Sequence, residues 1–165
     1  MPKTDINEIY MNIAAEIGKL SYAERKQVGA ILVKDGSIIS TGYNGTPHGF
    51  DNNCEETMIK YYDNPDIAEI LQDQGWHLST EAPFDARKQV TKREVLHAES
   101  NAISKVAKST HSSEGSVLYV TLSPCYECAK LIIQSGIKRV VYKEQYRMVD
   151  GIQLLLKAGI PCVQC

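Results

Sequence analysis

Three observations predict an α/β fold, a three-layer α/β/α sandwich around a mixed five-stranded sheet. An amphipathic helical pattern opens the chain, two apolar runs meet at Asp35-Gly36, and from Leu96 onward strand patterns alternate with helical ones. An Asp-Gly between apolar runs is a strong hairpin signal. Strands separated by helix-length segments call for right-handed crossovers and parallel pairing. The 165 residues suffice to bury a core without disulfides, so one domain spanning 1–165 is expected.

Asp5 to Leu20 sets Ile6, Ile9, Tyr10, Ile13, Ala14, Ile17 and Leu20 at helical spacing behind a Thr4 or Asp5 cap. Gln27–Lys34 and Ser37–Tyr43 are the antiparallel strands of the hairpin. The stretch from Asn44 to about Lys92 begins as a Gly/Pro/Asn loop, NGTPHGFDNN. It continues as EETMIKYYDNPDIAEILQDQG, which Asn64-Pro65 divides into two short helical pieces; it looks like an insertion or lid. Beyond it come helix Leu96–Ala107, strand Ser116–Leu122, helix Cys125–Ser135, strand Lys138–Tyr142, helix Val149–Ala158 and strand Cys162–Gln164.

A net charge of −2 does not supply the positive field of a polynucleotide-binding protein, although a few basic groups suffice for one phosphate. No apolar run approaches the roughly 18–20 residues of a membrane helix. The opening MPKTDINEIY lacks the order of a secretory signal. A soluble, cytoplasmic protein is expected, and the five cysteines then serve as thiols for metal or catalysis rather than as disulfides.

Pro-Cys-x-x-Cys occurs twice, at Pro124–Cys128 and Pro161–Cys165. Cys125 and Cys128 fall where a strand ends and a helix begins. On the first helical turn, residues three apart share a face, and the free N–H groups favour thiolate. Cys162 and Cys165 fall on a strand, where residues three apart project to opposite faces, so the second copy reads as structural. A lone CxxC fits a redox pair or half a structural zinc site equally well. His97 and Glu99, in HAE at the start of the preceding helix, each have ordinary roles as a cap and a dipole-suited residue. Together with Cys125 and Cys128 at a matched junction, they make three zinc ligands with a fourth position for water, beside a carboxylate.

At these residues the chain resembles the cytidine deaminase superfamily and, within it, the deoxycytidylate (dCMP) deaminases, particularly those of bacteriophages. QVGAILV, STGYNGTPHGF, VLHAESNAI and YVTLSPCYECAKLIIQSGIKRVVY carry the resemblance. It implies hydrolytic deamination of dCMP to dUMP and ammonia, feeding thymidylate synthesis. One catalytic Zn2+ per subunit would sit on His97, Cys125 and Cys128, with Glu99 shuttling protons. Asn44 would contact the sugar, Arg25 the phosphate and Tyr146 the base or sugar, with Ala98, Ser123 and Pro124 also touching substrate. The family is often regulated by dCTP and dTTP, and Tyr43, Gly49 and Asn52 are the candidate effector contacts. Its members are usually homo-oligomers, commonly hexamers. A second, structural zinc of some relatives is not expected, because Cys54 has no cysteine partner in the SYAER turn and His48, His77 and His111 are scattered.

Rival readings are a deaminase acting on dCTP, with Lys26, Lys92, Arg93 and Arg147 as extra basic groups, on a nucleoside, or on adenosine in transfer RNA. From other classes come a zinc-stabilised interaction module, which would have four protein ligands and no use for Glu99, and a thiol-disulfide oxidoreductase, which would leave HAE idle.

Overall fold

Asp5 starts the first helix by accepting a hydrogen bond from the Asn7 backbone N–H at 3.0 Å, satisfying a donor that the helix itself cannot. The computed structural model describes residues 4–81 and 84–165. Its elements run α1 (Ile6–Gly18), β1 (Gly29–Lys34), β2 (Ser37–Tyr43), β3 (Glu55–Tyr61), α2 (Asp66–Asp73), β4 (His77–Leu78), β5 (Asp85–Thr91), α3 (Ala98–Ala107), β6 (Val117–Leu122), α4 (Tyr126–Gln134), β7 (Arg139–Glu144), α5 (Asp150–Lys157) and β8 (Cys162–Gln164). They fall into two compact units, one formed by the chain up to Asn53 together with Val95–Cys165, the other by Cys54–Glu94.

In the larger unit the strand order is β2-β1-β6-β7-β8. The hairpin closes through Asp35 and Gly36, both at positive φ (50° and 77°), the conformation of a two-residue turn whose twist matches its strands. β1 pairs antiparallel with β2 and β6, while β6, β7 and β8 pair in parallel, so the sheet is mixed as expected. Alternate residues face opposite sides. Ile31, Val33, Tyr119 and Val141 pack with Met11 and Ala14 of α1. Ala30, Leu32, Leu118, Val120, Val140 and Tyr142 pack against α3, α4 and α5 through Ala98, Ala102, Val106, Ala129, Ile132 and Leu155. The sandwich therefore carries one helix on one face and three on the other.

α3 lies unusually close to β2. A Cβ on Gly42 would collide with the Ala98 carbonyl oxygen and stand 3.0 Å from Ala102 Cα. Ser40 Oγ donates to the Ala102 carbonyl at 2.7 Å, and Asn101 Nδ2 donates to the Tyr43 carbonyl at 2.9 Å. These bonds register the helix on the strand.

The smaller unit covers the expected insertion from Cys54 onward, while Asn44–Asn53 belong to the larger unit, and its first half differs from expectation. Glu55–Tyr61 is a strand, not a helical piece, in a three-stranded antiparallel sheet of order β3-β5-β4. Met58, Ile59 and Tyr62 imitate helical spacing, whereas the pairing that makes the segment a strand comes from Asp85–Thr91, beyond reach of a local pattern. The second piece is the helix α2, which Pro65 introduces. Leu71, Trp76 and Ala86 form this unit's own small core.

Candidate functional site

The strand-to-helix junctions after Leu96 and after β6 supply the chemistry. His97 and Cys125 occupy the N-cap positions of α3 and α4 in extended conformations (ψ 157° and 171°), and neither cap is closed by a side-chain hydrogen bond. The first-turn N–H groups and the positive dipole ends of both helices therefore act on the side chains gathered there. Ser123 fixes the second junction: it is buried, its N–H donates to the Glu144 carbonyl at 2.8 Å, and its Oγ accepts from the Tyr146 N–H at 2.7 Å. Pro124 is fully buried. Behind it, α5 comes so close that a Cβ on Gly151 would collide with the Pro124 carbonyl oxygen and lie 2.8 Å from the Cys125 carbonyl carbon.

His97 Nδ1 lies 3.5 Å from Cys125 Sγ and 3.4 Å from Cys128 Sγ. Among the described residues these three form the one group of potential ligands whose donor atoms all lie within 4.8 Å of one another. Zn–S bonds of about 2.3 Å and Zn–N bonds of about 2.0–2.1 Å at a tetrahedral angle set N and S about 3.5 Å apart. The observed separations match, and one imidazole with two thiols is a borderline-to-soft donor set, so the residues fit zinc.

Electrostatics point the same way. Glu99, on the first turn of α3, is 4% exposed, and burial raises its pKa from 4.5 to about 7. The hydrogen bond from Cys128 pulls the Cys125 thiol down to about 3, with His97 assisting. The same bond, with burial, raises Cys128. Its bond with Cys125 raises His97. Burial favours the neutral carboxyl of Glu99, and the bond to Cys125 together with burial favours the protonated thiol of Cys128; a divalent cation at the centre would favour the deprotonated form of both.

The remaining predicted site residues stand on surrounding segments of the larger unit. Ala98 is buried beneath the ligand turn. Asn44 uses its side chain on the backbone: Oδ1 accepts from the Val28 N–H and Nδ2 donates to the Lys26 carbonyl, both at 2.8 Å. It thereby fastens the segment that follows Arg25, which is exposed. Tyr146 is half-buried, with the Arg147 guanidinium 5.8 Å from its ring centroid. Tyr43 is half-buried, Gly49 is exposed at φ 92°, and Asn52 is exposed.

The second Pro-Cys-x-x-Cys forms no such cluster. Cys162 packs partly into the core shared with α3, α4 and α5, while Cys165 feels Asp5 and Glu8 at the start of α1, on the other face of the sheet. Sequence reasoning missed Ser40, Gly42, Asn101 and Gly151, which position the helices that carry His97, Cys125 and Cys128. A small residue in a strand or at a helix start is the only local signal they leave.

The family described as "Cytidine and deoxycytidylate deaminase zinc-binding region" matches residues 4–144. The deoxycytidylate deaminase of Enterobacteria phage T4 is 39% identical over 132 residues, 73% of this chain and 68% of that one. That of Mycobacterium phage D29 is 34% identical over 147 residues, 88% and 99% of the two chains. A crystal structure of the dCMP deaminase from cyanophage S-TIM5, in complex with dCMP and dUMP, superposes with a TM-score of 0.76 at 37% identity and covers 100% of both chains.

Proposed function

The chain belongs to the zinc-binding cytidine and deoxycytidylate deaminase family, and from that membership we propose that it hydrolyses dCMP to dUMP and ammonia. One observation carries the reading: His97, Cys125 and Cys128 converge beside a buried Glu99 with a pKa near 7. A fully protein-ligated structural zinc has no use for such a carboxylate, and a redox CxxC no use for His97.

His97, Cys125 and Cys128 would hold the zinc, which would supply Lewis-acid activation of a water molecule. Glu99 accepts the proton released by that water and passes it to N3 of cytosine, which makes C4 electrophilic. As the C4–O bond forms, Glu99 takes the second proton from the new C4 hydroxyl and gives it to the amine, whose C4–N bond breaks, leaving uracil and ammonia. Glu99 is buried on the first turn of α3 beside His97, Cys125 and Cys128, where one carboxyl group can both take and give the proton.

Substrate contacts extend this reading. Ala98, Ser123 and Pro124 line the ligand junctions, Tyr146 is held to Ser123 through its backbone, and Asn44 retains a lone pair on Oδ1 for the sugar while anchoring the segment next to Arg25, the phosphate group's partner. Lys26 pairs with Glu144 at 2.6 Å, which favours a monophosphate over dCTP because one of the extra cations is engaged. For regulation by dCTP and dTTP, the contacts are Tyr43, Gly49 and Asn52; the Lys105 ammonium, 5.3 Å from the Tyr43 ring centroid, adds positive charge there. We read residues 1–165 as one deaminase domain with an insertion, working in the cytoplasm as a homo-oligomer, a hexamer by analogy with the family, and feeding thymidylate synthesis. No helix among the described residues is long and apolar enough to cross a membrane.

The test is zinc per chain together with uracil formation from dCMP, dCTP, deoxycytidine and cytidine, in the native protein and in Glu99→Ala. The proposal expects one zinc, a preference for dCMP, and at least about a hundredfold lower turnover in the zinc-loaded variant. Zinc without deamination would favour the interaction module. Titration of dCTP and dTTP against dCMP turnover separates a regulatory site, where sigmoidal curves straighten with dCTP, from plain competition.

A further inference from the structure

β3 lies at one edge of the insertion's sheet; among the described residues no strand flanks it on the side away from β5. From Glu56 to Tyr61 every residue is exposed, including Met58 at 44%, Ile59 at 47% and Tyr61 at 72%. An exposed apolar edge is a template for another strand. Its hydrogen-bonding direction is fixed by two bonds bracketing the β3–β5 pair, Lys92 N–H to the Cys54 carbonyl at 2.9 Å and Tyr62 N–H to the Phe84 carbonyl at 3.3 Å. With Glu56 opposite Val90, Met58 opposite Lys88 and Lys60 opposite Ala86, the even-numbered residues direct their backbone groups toward β5, and Thr57, Ile59 and Tyr61 direct theirs outward.

We propose that β3 pairs antiparallel with β3 of a second copy of this chain about a two-fold axis at Met58, joining two three-stranded sheets into one. The sequence of the strand selects this occupant and this register. Centring on Met58 sets Thr57 opposite Ile59 of the second copy, so that outward backbone groups meet and exchange both N–H···O bonds. The same register sets Glu56 opposite Lys60 of the second copy, twice by symmetry, and Met58 opposite itself. These fall in non-hydrogen-bonded pairs, where facing side chains approach most closely and opposite charges stabilise. Centring on Thr57 would set Glu56 against Met58, and centring on Ile59 would set Lys60 against Met58, leaving the charges unmatched. The Lys60 ammonium rests 4.6 Å from the Trp76 ring centroid, so its side chain is already ordered on the face that carries Glu56 and Met58.

The experiment is sedimentation velocity on the full zinc-loaded chain. Glu56→Lys and Lys60→Glu each place like charges across the two-fold axis, and Ile59→Pro removes an outward N–H without removing a bond to β5. Each should halve the mass of the assembly, and the double variant Glu56→Lys/Lys60→Glu should restore it. Met58→Cys should form a covalent dimer under mild oxidation, seen on a non-reducing gel, where Met58→Ser does not. Unchanged mass in all three single variants, a double variant as dissociated as the singles, or a Met58→Cys protein that does not cross-link beyond Met58→Ser would each overturn the proposal.

Discussion

Replacing Glu99 by Gln should stabilise the metal-free protein at alkaline pH while leaving it unchanged in acid. Burial raises the folded-state pKa of this carboxyl from 4.5 to about 7. A raised folded-state pKa means that the native state holds the proton more tightly than the unfolded chain does. The group's contribution is therefore fully present below about pH 4.5 and is lost as pH rises through 7. At 1.36 kcal/mol per pH unit, the interval from 4.5 to about 7 amounts to roughly 3 kcal/mol of stability that the wild type gives up by pH 8. Gln is nearly isosteric with the protonated acid and does not titrate, so the variant keeps what the wild type loses. Urea unfolding of both chelator-treated proteins at pH 4.5 and pH 8, followed by circular dichroism, should give nearly equal stabilities in acid and a gap of roughly 3 kcal/mol in favour of the variant at pH 8. Zinc should narrow the gap, because a nearby dication stabilises the carboxylate. Parallel pH profiles for the two metal-free proteins would refute the claim that burial, and not local charge pairing, sets this pKa.

Cys125→Ala should lose zinc, measured by atomic absorption on dialysed protein, whereas the Cys162→Ala/Cys165→Ala double variant should retain it. Gly151→Ala should lower stability by about 1–3 kcal/mol, the range for overpacking, and weaken zinc retention against a chelator, because the added methyl meets the backbone of Pro124 and Cys125. Zinc should leave progressively on acidification, since Cys128 and His97, both raised, must give up their protons before they can act as ligands. A zinc-dye titration from pH 8 to 5 should show falling affinity, and pH-independent retention would exclude them as ligands.

The larger unit was legible because its signals are local. Asp35-Gly36 specifies its own turn, and the alternation of strand and helix after Leu96 carries its own connectivity, so predicted boundaries there agree with the structure to within a residue or two. The ligand set was legible for a related reason: a cysteine at a helix start and another three residues on share a face whatever surrounds them. β3 was not, because the residues that make it a strand lie across the sheet in Asp85–Thr91. Asn44 illustrates a further gap. Its position in the GYNG loop suggested a substrate contact, but its commitment to Val28 and Lys26 emerges only once the chain has brought β1 and β2 together.

The candidate metal-holding cluster is built on two helices, of which α3 meets strand β2 and α4 meets helix α5 through backbone contacts rather than through long side chains. Gly42 admits the Ala98 carbonyl and Gly151 admits the Pro124 carbonyl, and neither approach leaves space for a methyl group. A backbone–backbone contact has no rotamer to change, so it transmits position with little slack, whereas a leucine at either place would set the helix off by the thickness of a side chain. Three donors must come within tenths of an ångström of a common centre to hold one small cation, and two of them, Cys125 and Cys128, share a helix while His97 stands on another. The tolerance of the site is therefore that of the α3–β2 and α4–α5 contacts. The geometry most needed for chemistry is thus held by residues with no side chain of their own.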